Sequence, residues 1–188
     1  MDDVEGEVTD HGVALKLADV PWASKQLWAP DAAFKNGKYY LYFPARHNDG
    51  MFRIGVGVSD RPEGPFKPRP EPIKGSYSID PAVFVDDDGS AYMYFGGIWG
   101  GQLQEWPGGQ HDPQGKEPTE GPAINGRVAK LTEDMLEIEG EISELQILDE
   151  KSEAIRADDH DRRFFEGAWM HKKDGLYYLS YSTGDTHY

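Results

Sequence analysis

Asp31, Asp80 and Glu166 each open the same short phrase: an acid, a small residue, an alanine and an apolar residue. The copies read Asp31-Ala32-Ala33-Phe34, Asp80-Pro81-Ala82-Val83 and Glu166-Gly167-Ala168-Trp169. A carboxyl group can give or take a proton. Carboxylates gathered in one cavity repel, so one of them tends to keep its proton. A protonated and an ionised acid facing each other can hydrolyse a glycosidic bond, and the tryptophans Trp28, Trp99 and Trp169 would supply flat surfaces for sugar rings. Any one of these acids taken alone reads more readily as a strand cap or as the partner of a basic residue than as a catalyst. Their equivalence in three repeats is what argues for a shared cavity.

The elements that must position the acids follow each phrase. A glycine turn comes next (Gly37, Gly89, Gly175), then a tyrosine-rich run: Tyr39-Tyr40-Leu41-Tyr42, Tyr92-Met93-Tyr94 and Tyr177-Tyr178-Leu179-Ser180-Tyr181. Asn36-Gly37 between apolar runs is a strong hairpin signal. A hairpin unit reused at a spacing of about 50 residues fits the blades of a propeller, which brings equivalent positions around one axis. Around these units the sequence predicts a strand at Val13–Leu17, another at Phe52–Val58 with glycines for packing near a crowded axis, and a forced turn at Asp60–Phe66. Outer strands are expected at Arg127–Leu131 and Ile142–Leu148, with surface loops over 107–126 and 149–163. No helix is required, although Glu133–Glu139 could hold one turn. Asp86-Asp87-Asp88-Gly89 lacks the alternating ligands and terminal glutamate of a calcium loop and reads as a hairpin turn. Gly96-Gly97-Ile98-Trp99-Gly100-Gly101 reads either as a flexible connection or as a rim presenting Trp99 for stacking.

Composition narrows the partners. The 188 residues carry 34 acidic and 19 basic side chains, a net charge of -15, which argues against nucleic acid or an anionic membrane. The absence of cysteine excludes disulfides and thiolate chemistry. No apolar run approaches a membrane span, and Met1-Asp2-Asp3-Val4-Glu5 has the wrong charge for a signal peptide, which favours a cytoplasmic location for the chain as written. Ten Tyr, eight Phe and five Trp suit β-structure.

Trp28-Ala29-Pro30-Asp31, Ser78-Ile79-Asp80-Pro81-Ala82-Val83-Phe84 and Phe165-Glu166-Gly167-Ala168-Trp169 resemble the blade-opening motifs of glycoside hydrolase family 43. That family comprises five-bladed β-propeller enzymes, among them β-xylosidases and α-L-arabinofuranosidases. The resemblance covers essentially the whole chain. It implies an all-β fold, with residues 1–188 forming a single partial propeller domain of about two and a half blades. It also implies inverting hydrolysis by a base, an acid and a third carboxylate. By motif, Glu166 is then the general acid, and Asp80 the residue that orients it and adjusts its pKa. Asp31 is structural or pocket-lining, and Trp28, Asp31, Ile79, Trp99 and Trp169 form the substrate-binding surface. The expected partner is a xylo- or arabino-configured oligosaccharide. No cofactor or metal is expected in this chain, although an axial calcium ion belongs to the complete family fold.

Two departures from the family pattern shape the expectation for this chain. The family's general base is a first-blade aspartate upstream of the Trp-Ala-Pro-Asp motif. Asp2, Asp3, Glu5, Glu7, Asp10 and Asp19 are the acids before Trp28, and none opens a strand followed by a glycine hairpin. The chain also stops before a fifth blade. About two and a half blades cannot close a ring, so the resemblance is to an incomplete copy, inactive alone and prone to self-association. The competing reading is a carbohydrate-binding propeller piece without catalysis, which would keep the tryptophans and need none of the acids. A propeller serving as a protein-interaction platform fits the three acid motifs least.

Overall fold

In the computed structural model, Gly6 and residues 8–184 are described. The first sheet holds β1 (Ala23–Lys25), β2 (Asp31–Lys35), β3 (Lys38–His47), β4 (Phe52–Ser59) and β5 (Lys67–Pro68). A second sheet follows in simple order, with β6 (Ala82–Val85), β7 (Ala91–Phe95), β8 (Gly126–Leu131) and β9 (Ile138–Leu145). The hairpin β10 (Glu166–Lys173) and β11 (Leu176–Ser182) makes the third unit. Every pairing is antiparallel. The chain is a partial β-propeller: two blades and half of a third.

Local chemistry sets the hairpins. Asn36 and Gly37 take φ of 52° and 73°, and Asp174 and Gly175 take 52° and 77°. Left-handed pairs of this kind match the twist of the flanking strands, and asparagine, aspartate and glycine tolerate them best. The turns fix the register, which pairs Asp31 with Tyr42, Ala82 with Tyr94 and Glu166 with Ser182. Each acid phrase therefore lies on or just before the first strand of its unit, with the tyrosine-rich strand beside it.

One core runs through all three units. Tyr42, Ile54 and Val56 from the first sheet meet Met93, Phe95 and Leu131 from the second, and Phe164, Phe165 and Ala168 join from the third. Burying each large side chain stabilises the fold by about 1.5–3 kcal/mol. Tyr42 keeps its hydroxyl satisfied by donating to the Met135 carbonyl at 2.7 Å. A smaller cluster of Val20, Trp22, Phe43 and Ala45 covers the other face of the first sheet.

Several expectations shift. Val13–Leu17 is not a strand: the Ala14 carbonyl accepts from Phe66 N–H at 2.9 Å, and Leu17–Asp19 forms a 3-10 turn. The segment is held by this hydrogen bond and by Leu15 packing on the smaller cluster, not by a ladder. The last strand of the second blade is Ile138–Leu145, not Ile142–Leu148, because Ile138 pairs with Leu131 straight after the 132–137 turn. That turn holds no helix, and short 3-10 turns occur at Trp99–Gly101, Leu103–Glu105 and Pro107–Gly109. Gly55 packs against the smaller cluster. A Cβ there would lie 2.6 Å from both Phe43 and Trp22, so the smaller cluster requires the glycine.

Candidate active site

Asp80 and Glu166 come together where the second and third units meet. The chain reaches Asp80 through a strained entry, with Ser78 at φ 64° and Asp80 at φ 54°, just ahead of Pro81. Ser78 is fully buried and anchors this bend: its hydroxyl accepts from Gly97 N–H at 3.0 Å and lies 3.3 Å from the Gly97 carbonyl. Gly97 in turn bridges to Glu166, and Ile98 N–H donates to the Phe165 carbonyl at 3.1 Å. The glycine is required, since a Cβ at position 97 would come within 2.8 Å of Ile79 and 3.2 Å of Glu166. The glycine-rich segment is thus a packed seam between the two acids' strands, closing one of the two readings left open by its composition.

The electrostatics follow from that placement. The Asp80 carboxylate accepts the Gly167 backbone N–H, one residue past Glu166. Burial first, and then repulsion from Glu166, push Asp80 up to about 6, while the Gly167 bond pulls the other way. Burial also raises Glu166 above its ordinary value. Two half-buried carboxyls within range of each other's charge form a pair able to hold a proton near neutral pH. Asp31 lies one blade away and its carboxylate is occupied, accepting from Val83 N–H at 2.7 Å. Burial raises its pKa, against the bonds from Val83 and Ala32.

The family model for glycosyl hydrolases family 43 matches residues 8–188. The chain belongs to that family. It is 66% identical over 198 residues to xylosidase/arabinosidase 43A of Humicola insolens, covering 99% of this chain and 59% of that protein. It is 54% identical over 193 residues to a xylosidase/arabinosidase of Bacteroides ovatus, covering 100% of this chain and 58% of that protein. Among solved structures it resembles a β-xylosidase/α-arabinofuranosidase from a compost microbial metagenome, in complex with xylotriose. The TM-score there is 0.95 at 62% identity, covering 100% of this chain and 58% of that one. The chain therefore spans less than two thirds of the length of these relatives.

Within this family-43 chain the remaining residues of interest separate. Trp28 is partly exposed, with its ring 4.6 Å from Phe52, and a Cβ on Gly100 would lie 3.7 Å from it. Trp28 and the loop carrying Trp99 therefore adjoin. Ile79 is 4% exposed, filling the space beneath Gly97 and Gly101, so it supports the seam rather than presenting a surface to a sugar. Trp169 falls on the outer face of the β10–β11 hairpin, its ring 5.2 Å from His171, which stacks on Tyr178. Strand alternation puts it opposite Ala168 and Met170, which face the core. The structure does not group it with Trp28 and Trp99.

Asp10 and Asp19 are exposed; Asp10 closes a local turn on Gly12 N–H and Asp19 sits in the first 3-10 turn. Asp2, Asp3, Glu5 and Glu7 lie outside the described residues. Asp86 is drawn down to about 2 by hydrogen bonds from Lys172 and Tyr177, which tie the second blade to the third. Among the described residues no three His, Asp or Glu side chains converge where an ion could sit. Sequence reasoning did not single out Ser78 or the Gly97–Glu166 bridge. Ser78 stood in the quoted motif, but nothing local marks a serine as the hub of a bend.

Proposed function

We propose that this chain carries the acid half of an inverting glycosidase site for xylose- or arabinose-configured saccharides. The carrying observation is the Asp80–Glu166 pair, joined through Gly167, with both acids raised by burial and Asp80 also by the charge of Glu166. In this reading Glu166 protonates the glycosidic oxygen as the C1–O bond breaks. Asp80, ionised above about pH 6, holds the peptide next to Glu166 and, through its negative charge, makes the acid's proton harder to lose to water. Trp28 and Trp99 form the sugar-facing wall. The names of the relatives and the xylotriose in the solved neighbours support a pentose ligand.

Inversion also needs a base about 6.5–9.5 Å from the acid, taking a proton from water as it attacks C1 from the opposite face. Neither Asp10 nor Asp19 is built into a strand-opening position that could serve. The purified chain is therefore expected to turn over aryl xylosides and aryl arabinofuranosides at background rate. Azide needs no deprotonation, so it can replace the activated water. Its nitrogen bonds to C1, the glycosidic bond breaks, and Glu166 gives its proton to the departing oxygen. Added azide should yield the inverted glycosyl azide from xylotriose, and Glu166→Gln should abolish it. No azide product would remove the acid role. Turnover without azide that disappears in Glu166→Gln would show that the chain does contain a base.

A further inference from the structure

Trp99 is held by more than its own loop. Its backbone takes a left-handed φ of 60°, and its N–H donates to Gln104 Oε1 at 2.7 Å. The indole Nε1–H donates to Glu117 Oε2, in the segment 107–126 whose composition suggested a plain surface loop. The other oxygen of Glu117 forms an ion pair with Arg163. Arg163 is 3% exposed, three positions before Glu166, and also meets the His160 ring at 3.2 Å and the Gly184 carbonyl at 3.4 Å. A buried guanidinium and a largely buried carboxylate have thus been taken out of water and aimed at one indole, on the loop whose Gly97 bridges to Glu166 and whose Gly100 adjoins Trp28.

Such a pair is a costly way to gain stability, since apolar side chains of similar volume would serve as well or better. Its specific product here is orientation. One carboxylate oxygen is fixed by the guanidinium, so the other can fix the plane of the indole. We propose that Glu117, locked by Arg163, is a positioning residue that sets the Trp99 ring as a stacking surface for a pentose unit beside the Asp80–Glu166 pair. This rests on the glycosidase reading of that pair. A ring held in place before binding spares the ligand the cost of ordering it, which is worth about three- to tenfold in affinity.

The test uses the full chain with 15N-labelled tryptophan, the Trp99 indole resonance being assigned with Trp99→Phe. Glu117→Met alone would strand a buried Arg163 charge and threaten the fold, so the decisive variant is Glu117→Met with Arg163→Met, which removes both partners. With its melting temperature at or above the parent's, the double variant should show a shifted Trp99 Nε1–H resonance, faster indole hydrogen exchange and three- to tenfold weaker xylotriose binding. An unchanged resonance and exchange rate overturn the proposal. So does an altered resonance with unchanged xylotriose affinity. A parent chain that binds no xylotriose instead overturns the glycosidase reading beneath it, a failure told apart because the indole readouts still respond.

Discussion

Replacing Asp80 by asparagine should stabilise the chain at neutral pH and leave it unchanged in acid. Folding moves the Asp80 carboxyl from an ordinary 3.8 to about 6. Below pH 3.8 both folded and unfolded states hold the proton, and Asp80 costs nothing. Above that the unfolded chain releases its proton first, so the folded state binds more protons and stability falls as pH rises, levelling off past about pH 6. The gap is worth about 3 kcal/mol at 1.36 kcal/mol per pH unit. Asp80 is only partly buried, and solvent screening brings the expectation to about 1–2 kcal/mol. Asparagine removes the charge, keeps an oxygen that can accept Gly167 N–H, and tolerates the φ of 54° as well as aspartate does.

Urea unfolding of parent and Asp80→Asn, at one protein concentration between pH 3.5 and 8, measures this directly. The two should coincide near pH 3.5 and diverge through pH 4–6. At pH 7 the variant should lead by about 1–2 kcal/mol, or roughly 2–8 °C in Tm, with unchanged m. Parallel profiles across that window would show that Asp80 is not held under electrostatic strain. A variant weaker at pH 7 would show that the carboxylate's bond to Gly167 outweighs burial and repulsion together.

Three further outcomes follow from the same geometry. Glu166→Gln should lower the Asp80 titration midpoint below about 6, read by carboxyl carbon-13 NMR; an unmoved midpoint would mean that the two charges do not interact. Gly55→Ala should destabilise by about 1–3 kcal/mol in urea unfolding, because its Cβ lands 2.6 Å from the Phe43 and Trp22 rings; a neutral result would mean that the smaller cluster yields freely. Light scattering should show self-association, since Trp169, Leu176 and Tyr178 at one end and Phe34 at the other are 43–61% exposed, and apolar area in water costs about 25 cal/mol per Å². Trp169→Ser with Tyr178→Ser should reduce it, and a monodisperse parent would refute the expectation.

What the sequence made legible was what short-range rules decide. Asn36-Gly37 needs only its two residues to specify a left-handed turn, and the alternation of Phe52–Val58 needs only its own side chains to specify a strand. The repeated phrase located Asp80 and Glu166 in equivalent places, from which their proximity could be inferred. The failures lie where distant partners decide. Val13–Leu17 alternates like a strand, yet its backbone carbonyls accept from Phe66, Asp19 and Val20, and the segment forms no ladder. Glu117 looks like one more loop acid until Arg163 is brought to it. Trp169 follows the acid phrase closely, but the β10 irregularity between Glu166 and Trp169 and the strand's period of two turn it to the outer face. Proximity in sequence could not reveal that direction.

The three acids share a phrase without sharing an environment. Asp31 reaches across to the Val83 N–H in the second blade's opening phrase, and Asp80 reaches across to the Gly167 N–H in the third's. In two of the three copies the acid thus clamps the backbone opening the next blade. A hydrogen bond from a backbone N–H favours the ionised carboxylate, yet burial and Glu166 still push Asp80 up to about 6 against its bond. Glu166 differs: burial raises it, with no such bond among the described residues pulling it down. Both acids of the pair are therefore raised, and in the proposed reading the donor role falls to Glu166 by the motif it occupies. Asp80 then serves the acid through its clamp, since the peptide it holds is the one joining Glu166 to Gly167. A change at Asp80 should therefore reach Glu166 by two routes, its charge and the set of that peptide, and asparagine, which keeps the second and removes the first, separates them.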